Sequence, residues 1–341
     1  MHHTKISIVN NEIIAPSGEN YAAFTERFFA QSLQGSTERS LQFFNEEYAQ
    51  HIKKIDNVDT SMIPSRLKRR MSFLTQMMIS CATKCLQDCA YDRENLGVII
   101  ATGWGELETT EKLLMGIIEG GDVALSPTQF HNSVHNTAAG YLGIMLKVKG
   151  PTLTISQENH SLEAALAAGH LLINSQQTQH ALVGGVDTYF RFSVLDPHNE
   201  KYPHTFGCGA SSFLLSRDCD HGPYLEIISL ADTLKTVAYA SQLANKLRDV
   251  HIDMLWLSGV STPQPFLQKL STQVNVINNA KNPYYPTDSG MEITAILATL
   301  QRGELPDKIE GYNIQGSSGK IRHALYVKET QGIYKSFMIW V

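Results

Sequence analysis

The chain has 341 residues, 43% of them hydrophobic and 18% charged, with a formal net charge of −5. That is enough apolar chain to bury a large core and more than one small domain requires, while the weak negative balance supplies no basic field for nucleic acid or anionic lipid. No stretch reaches the run of about 18 apolar residues that a membrane helix takes, and Met1-His-His-Thr-Lys5 lacks the charged-then-apolar order of a secretion signal, so a cytoplasmic location without membrane insertion is expected.

The β-branched run Lys5 to Val9 reads as a strand, followed by a loop with Pro16-Ser-Gly18 and a helix over 21–30, whose aromatics recur at three- and four-residue spacing. A polar, irregular stretch runs from about 35 to 64. The short basic cluster Arg66-Leu-Lys-Arg-Arg70 reads as a solvated helix face. Leu67, Met71, Leu74, Met77, Met78, Cys81 and Cys85 then mark one long amphipathic helix. Cys81, Cys85 and Cys89 stand four apart on one helical face, an awkward spacing for a disulfide; with no matching His/Cys pair nearby they read as core, and no metal is assigned.

A strand over 96–101 leads to a helix from Glu108 to Glu119 that Gly120-Gly121 ends. Next come a strand over 152–156, a helix over 161–173 and a buried strand over 180–185. The second half repeats the outline, with strands over 210–216 and 254–258, helices over 237–247 and 290–302, and a closing strand over 323–327. Alternating strands and helices predict parallel sheets covered on both faces, in two halves that look like weak copies of one α/β plan.

In this order the segments resemble the β-ketoacyl synthase family of the thiolase fold. Pro16-Ser-Gly18 resembles its Pro-Leu-Gly loop and Ala101-Thr-Gly-Trp-Gly105 its Gly-Thr-Gly turn. Ser126 to Gly140 resembles the segment ending in Asn-x-Ala-Ala-Gly, Lys149 to Ser156 the strand before the nucleophile, Ala181 to Asp187 the strand after it, and Gly207-Cys-Gly-Ala210 its Gly-Glu-Gly-Ala. The wording of Phe130 to Gly140 is most similar to the chain length factors that accompany active synthases in aryl polyene and related polyketide pathways. The resemblance implies a thiolase-like α/β fold with two pseudo-repeated halves, 1–217 and 218–341, in a layered α-β-α-β-α core.

An active condensing enzyme needs a thiolate at a helix N-terminus and two imidazoles that steady the thioester oxygen. The resemblance places Asn159 at the cysteine position, between Glu158 and His160, Ser258 at the first histidine and Tyr284 at the second. All three are altered, and the Gly-Phe-Gly-Gly gate becomes Gly316-Ser-Ser-Gly319. Cys208 replaces a structural carboxylate.

A non-catalytic subunit is therefore expected, a chain length factor that pairs with an active ketoacyl synthase and serves an acyl carrier protein with its acyl or malonyl chain, with no cofactor of its own. In that role Trp104, Leu107 and Glu111 line or plug the acyl tunnel, and Phe130, His131, His135 and Asn136 lie at the subunit interface. Glu111 departs from the apolar bulk the family places there, so Leu113 or Leu114 is an alternative occupant. The alternative reading is a divergent acyltransferase or hydrolase that uses Tyr284, His160 or His135.

Overall fold

The two most apolar stretches, 96–101 and 254–258, form strands buried along their whole length, because each is flanked on both sides by a parallel neighbour and covered on both faces. The computed structural model describes residues 5–32, 37–43, 46–53, 55, 57–120, 126–190, 205–217, 219, 222–231, 235–270, 274–279, 285–309, 311–316 and 319–341.

The N-terminal half runs β1 (Ile6–Ile14), α1 (Tyr21–Phe29), β2 (Thr37–Phe43), β3 (Glu46–Lys53), α2 (Ser65–Lys68), α3 (Phe73–Cys85) and β4 (Leu96–Ala101). It continues with α4 (Leu107–Gly120), α5 (Pro127–Asn132), α6 (Thr137–Leu146), β5 (Thr152–Ile155), α7 (Ser161–Asn174), β6 (His180–Asp187), β7 (Thr205–Gly207) and β8 (Gly209–Ser216). The C-terminal half holds β9 (Tyr224–Ala231), α8 (Thr236–Lys246), β10 (Met254–Ser258), α9 (Gln264–Leu270) and β11 (Asn275–Asn279). It ends with α10 (Ser289–Arg302), β12 (Asn313–Gln315), β13 (His323–Thr330) and β14 (Ile333–Trp340).

The sheet order β5-β4-β6-β8-β1 in the first half and β11-β10-β13-β14-β9 in the second is one plan used twice. In each, the second strand is parallel to its two neighbours, and the fourth strand runs antiparallel to both of its own. The sheets are thus mixed, not parallel throughout as alternation predicts. A short antiparallel contact, Ile6 to Leu225 and Ser7 to Tyr224, joins β1 to β9.

Helices α7 and α10 lie between the two halves. The core around them gathers Leu162, Ala165 and Leu166 with Ile293, Ile296, Trp256, Tyr326 and Phe337. A second core lies under α3 and α6, and a third under α8 and α9. The layering is therefore α-β-α-β-α, as the resemblance implies.

Three stretches differ from expectation. Part of the stretch over 35–64 forms the antiparallel pair β2 and β3, with β7 added alongside β3. The expected long helix from Leu67 breaks after Lys68, because Ser72 caps a new helix by accepting the Thr75 N–H at 3.0 Å. The chain closes on β14 and not on β13, its alternating Ile333 to Trp340 pairing along all of β13. The basic cluster 66–70 is solvated, as its composition predicts. No helix is long and apolar enough to cross a membrane among the described residues.

Candidate functional site

The turn from β5 into α7 is a tight elbow. Glu158 adopts a left-handed backbone with φ of 46°, which non-glycine residues rarely take. Ser161, fully buried, clasps the turn: its Oγ accepts the Gln157 N–H at 2.8 Å and donates to the Glu158 carbonyl at 2.7 Å. Asn159 stands at the apex, half-buried. A carboxamide there is neither a nucleophile nor an acid-base group at ordinary pH.

Three other segments meet this elbow. A Cβ built at Gly103 would fall 2.2 Å from the Pro286 Cβ and 2.8 Å from the Glu158 carbonyl, so only glycine lets the turn after β4 touch both the elbow and the approach to α10. Asp187, at the end of β6, fastens them. Its fully buried carboxylate accepts the Thr102 hydroxyl at 2.8 Å, the Gly103 and Trp104 N–H groups at 3.0 and 2.9 Å, and the Thr287 N–H and hydroxyl at 3.1 and 2.9 Å. Burial pushes its carboxyl above the ordinary range, against hydrogen bonds that pull it down. In sequence Asp187 only ends a strand; a lone carboxylate closing the apolar run from Ala181 to Val186 is the signal of its role.

Beneath the elbow lies a charged cluster that spans both halves. Glu163, in the first turn of α7, pairs with Lys328 of β13 at 3.4 Å, both buried. Tyr326, two residues before that lysine, brings its hydroxyl within 3.1 Å of Glu163 and 3.0 Å of Glu292, and Tyr312 donates to Glu292 at 2.9 Å. Burial raises the Glu163 carboxyl, but Lys328, His160 and a Ser289 hydrogen bond outweigh it, leaving a net downward shift. His160, 4% exposed, is lowered too, but chiefly by burial, which takes it down to about 4, with Lys328 and Lys335 adding to the shift against Glu163, so it is neutral at ordinary pH.

Ser258 ends β10, buried and opposite Lys328, and its hydroxyl hydrogen-bonds Tyr326. It reaches the same cluster as His160. Tyr284 lies outside the described residues; its neighbour Tyr285 is buried with its hydroxyl against Gly209. Gly316 is at the wrong end of the sheet for a gate. It abuts Val274 and Asn275, where β11 begins, whereas Ser258 pairs with Asn279, where β11 ends. The segment that faces His160 from the second half is the end of β13, Lys328 to Thr330.

The thiols are elsewhere. Cys81, Cys85 and Cys208 pack in the core beneath α3, where burial pushes the Cys81 and Cys85 thiols far above their ordinary value.

Trp104 is held by its N–H on Asp187 and sets its ring edge-on to Phe190, centroids 5.7 Å apart. Trp104 lies in the turn ahead of α4, while Leu107 is half-buried on that helix and Glu111 buried one turn on; Leu113 is buried and Leu114 exposed. His135, exposed, lays its ring on Gly105, whose φ of 59° and missing Cβ make room for it. His131 sits edge-on to Tyr141, and Asn132 donates to the Arg70 carbonyl. Phe130 is 69% exposed, and Asn136 is exposed too.

Residues 43–205 match the family model described as beta-ketoacyl synthase, N-terminal domain. Solved structures align over nearly all of the chain. The ishigamide ketosynthase/chain length factor aligns with a TM-score of 0.72 at 16% identity, covering 98% of each chain. A ketosynthase in complex with its chain length factor from Xenorhabdus doucetiae gives 0.78 at 15%, covering 99% of this chain and 98% of that one.

The chain has the fold of the ketosynthases, and residues 43–205 match the model of their N-terminal domain.

A type II polyketide synthase acyl-carrier protein in complex with its ketosynthase bound to the hexaketide also aligns, at a TM-score of 0.78 and 13% identity over 99% of each chain. No curated protein matches. Within this fold, Asn159 stands on the elbow between β5 and α7.

Proposed function

We propose that the protein is a non-catalytic ketosynthase-like subunit, a chain length factor, which pairs with an active ketoacyl synthase and shapes the tunnel in which a carrier-bound polyketide or polyene chain is elongated. The observation that carries this reading is Asn159 on the strained turn ahead of α7. The elbow is kept at a cost of order 1 kcal/mol for the left-handed Glu158, while its apex bears a group that forms no acyl-enzyme. Ser258 and the neutral His160 supply no pair of cationic or donor imidazoles to stabilise an enolate.

A partner surface fits the same reading. β5 is the outermost strand of its sheet, and Leu153 on it is exposed. Ile144 on α6 and Leu171 on α7, helices that pack against β5, are 70% and 66% exposed. An open edge flanked by apolar side chains is a surface that another chain covers. In this reading Phe130, His131, His135 and Asn136 belong to the same interface, and Trp104 ahead of α4 lines the tunnel with Leu107 and Glu111 on that helix. The halves divide at residues 217 and 218 in this reading, and the complex works in the cytoplasm.

The test combines two measurements on the purified protein. Co-expression with a cysteine-bearing ketosynthase is expected to yield a stable one-to-one complex, and incubation of this chain alone with malonyl-loaded carrier protein is expected to release no CO2 and load no acyl group. Acylation or decarboxylation by the isolated chain would instead favour a divergent acyltransferase or hydrolase.

A further inference from the structure

On the outer face of the second-half sheet, beside the end of α8, lies a cleft of about 330 Å³, within the ~300–1,000 Å³ span of small-molecule sites. Met338 and Trp340 of β14 form its floor, and Leu247 and Val250, in the turn after α8, an apolar wall. Glu226 of β9 lies directly opposite Met338, and opposed residues of an antiparallel pair share a face, so its carboxylate belongs to this side of the sheet. Lys246, the last residue of α8, reaches the same strand two residues on. Its Nζ donates to the Ile228 carbonyl at 2.6 Å, where Ile228 is the extra residue of a bulge in β9. Both charged side chains line the cleft, and neither forms an ion pair among the described residues. Two residues of strand put roughly 6–7 Å between their anchoring points. The other titratable group on the lining, His323, is already turned to Asp253 at 3.2 Å.

We propose that this cleft binds a small zwitterion, an α-amino acid with an apolar side chain, of which L-leucine is the simplest probe. Glu226 takes the α-ammonium and Lys246 the α-carboxylate, each over about 2.8 Å, while the side chain lies on Met338 and Trp340 against Leu247 and Val250. The charges select this class. An apolar acid would bring its carboxylate beside Glu226, and an alkylamine its ammonium beside Lys246, whereas a molecule with both charges on one carbon satisfies the pair. Lys246 keeps two of its three donors for this, since only one is engaged by the Ile228 carbonyl. None of these residues belongs to the Asn159 elbow, so the site does not depend on the role proposed for that elbow.

The test is a titration of the full-length protein, by ligand-observed NMR and calorimetry, with L-leucine and two analogues: 4-methylpentanoate, which lacks the ammonium, and 3-methylbutylamine, which lacks the carboxylate. L-Leucine is expected to bind saturably and roughly tenfold or more tighter than either analogue, the margin of one charge-assisted hydrogen bond. Glu226→Gln is expected to bring L-leucine to the level of 4-methylpentanoate on the same variant. Lys246→Met, on a side chain that reaches solvent, is expected to bring it to the level of 3-methylbutylamine, and decides the matter should Glu226→Gln fail to fold. Three results would overturn the proposal: no saturable binding of L-leucine, L-leucine no tighter than the better of the two analogues, or L-leucine affinity unchanged in either variant.

Discussion

Asp187 and Thr287, one at the end of β6 in the first half and the other just before α10 in the second, are joined by two hydrogen bonds of 3.1 and 2.9 Å to the same carboxylate oxygen. The other oxygen takes up the turn that carries Trp104. One carboxylate thereby fixes both the roof of the elbow and the wall of the expected tunnel. Replacing Asp187 by Ala is expected to destabilise the protein by roughly 3–5 kcal/mol in urea unfolding, because several buried N–H and O–H donors lose their acceptor together. Asp187→Asn keeps one oxygen and is expected to lose less, roughly 1–3 kcal/mol.

Gly103 offers a steric counterpart. A methyl group there overlaps the Pro286 ring and the Glu158 carbonyl, and neither is the free end of a flexible side chain. Gly103→Ala is expected to cost roughly 1–3 kcal/mol and to displace the approach to α10. The neighbouring Thr102→Ser, which keeps the hydroxyl on Asp187, serves as the control and is expected to unfold within about 1 kcal/mol of the native chain.

The buried imidazole makes stability depend on pH. His160 titrates near 4 in the folded chain and at an ordinary 6.5 when unfolded, so between those values the unfolded state binds more protons. Its contribution is therefore complete above about pH 6.5 and is lost as the pH falls to about 4, an effect on the order of 2–3 kcal/mol. Glu163, whose carboxyl is held low, adds a loss of the same sign further into acid. His160→Phe is expected to flatten the stability curve between pH 6.5 and 4; an unchanged slope in urea midpoints across that window would contradict the assignment.

The edge of β5 can be tested apart from the interior. Leu153→Lys places a charge on an exposed edge strand, a device that blocks strand pairing. The isolated chain is expected to keep its stability within about 0.5 kcal/mol, while the complex with a ketosynthase is lost on size exclusion with light scattering. Ile144→Asp is expected to act in the same direction from α6. Val250→Lys, an exposed apolar position near the end of α8, is the control that leaves the complex intact.

Much of this architecture is legible in the residues. β4 is apolar throughout and β10 up to its final Ser258, and helix α7 is small or apolar from Leu162 to Ile173 except at Glu163 and His170, so their limits are read within a residue or two. β2 and β3 are not, because Thr37 to Phe43 and Glu46 to Lys53 are polar strands of a separate small sheet, which periodicity reads as loop. The antiparallel course of β8 and β14 is equally hidden: an apolar strand carries no mark of its neighbour's direction. Gly316 to Gly319 resembles a glycine-rich gate in letters, but strand order puts Gly316 beside Asn275, at the opposite end of β11 from Ser258. The resemblance sets Asn159 in the turn after β5 and Ser258 at the end of β10, two places that the strand limits alone make legible. It misses Asp187, Glu163 and Lys328, whose partners are far apart in sequence and meet only through the fold.

The shared middle layer also governs how the molecule comes apart. Tyr326 holds first-turn carboxylates from both α7 and α10, and those two helices bury their flanks against one another's halves, so neither repeat owns a complete interior. Calorimetry should therefore record a single cooperative melting transition, and either repeat synthesised by itself should behave as an unfolded, aggregation-prone fragment.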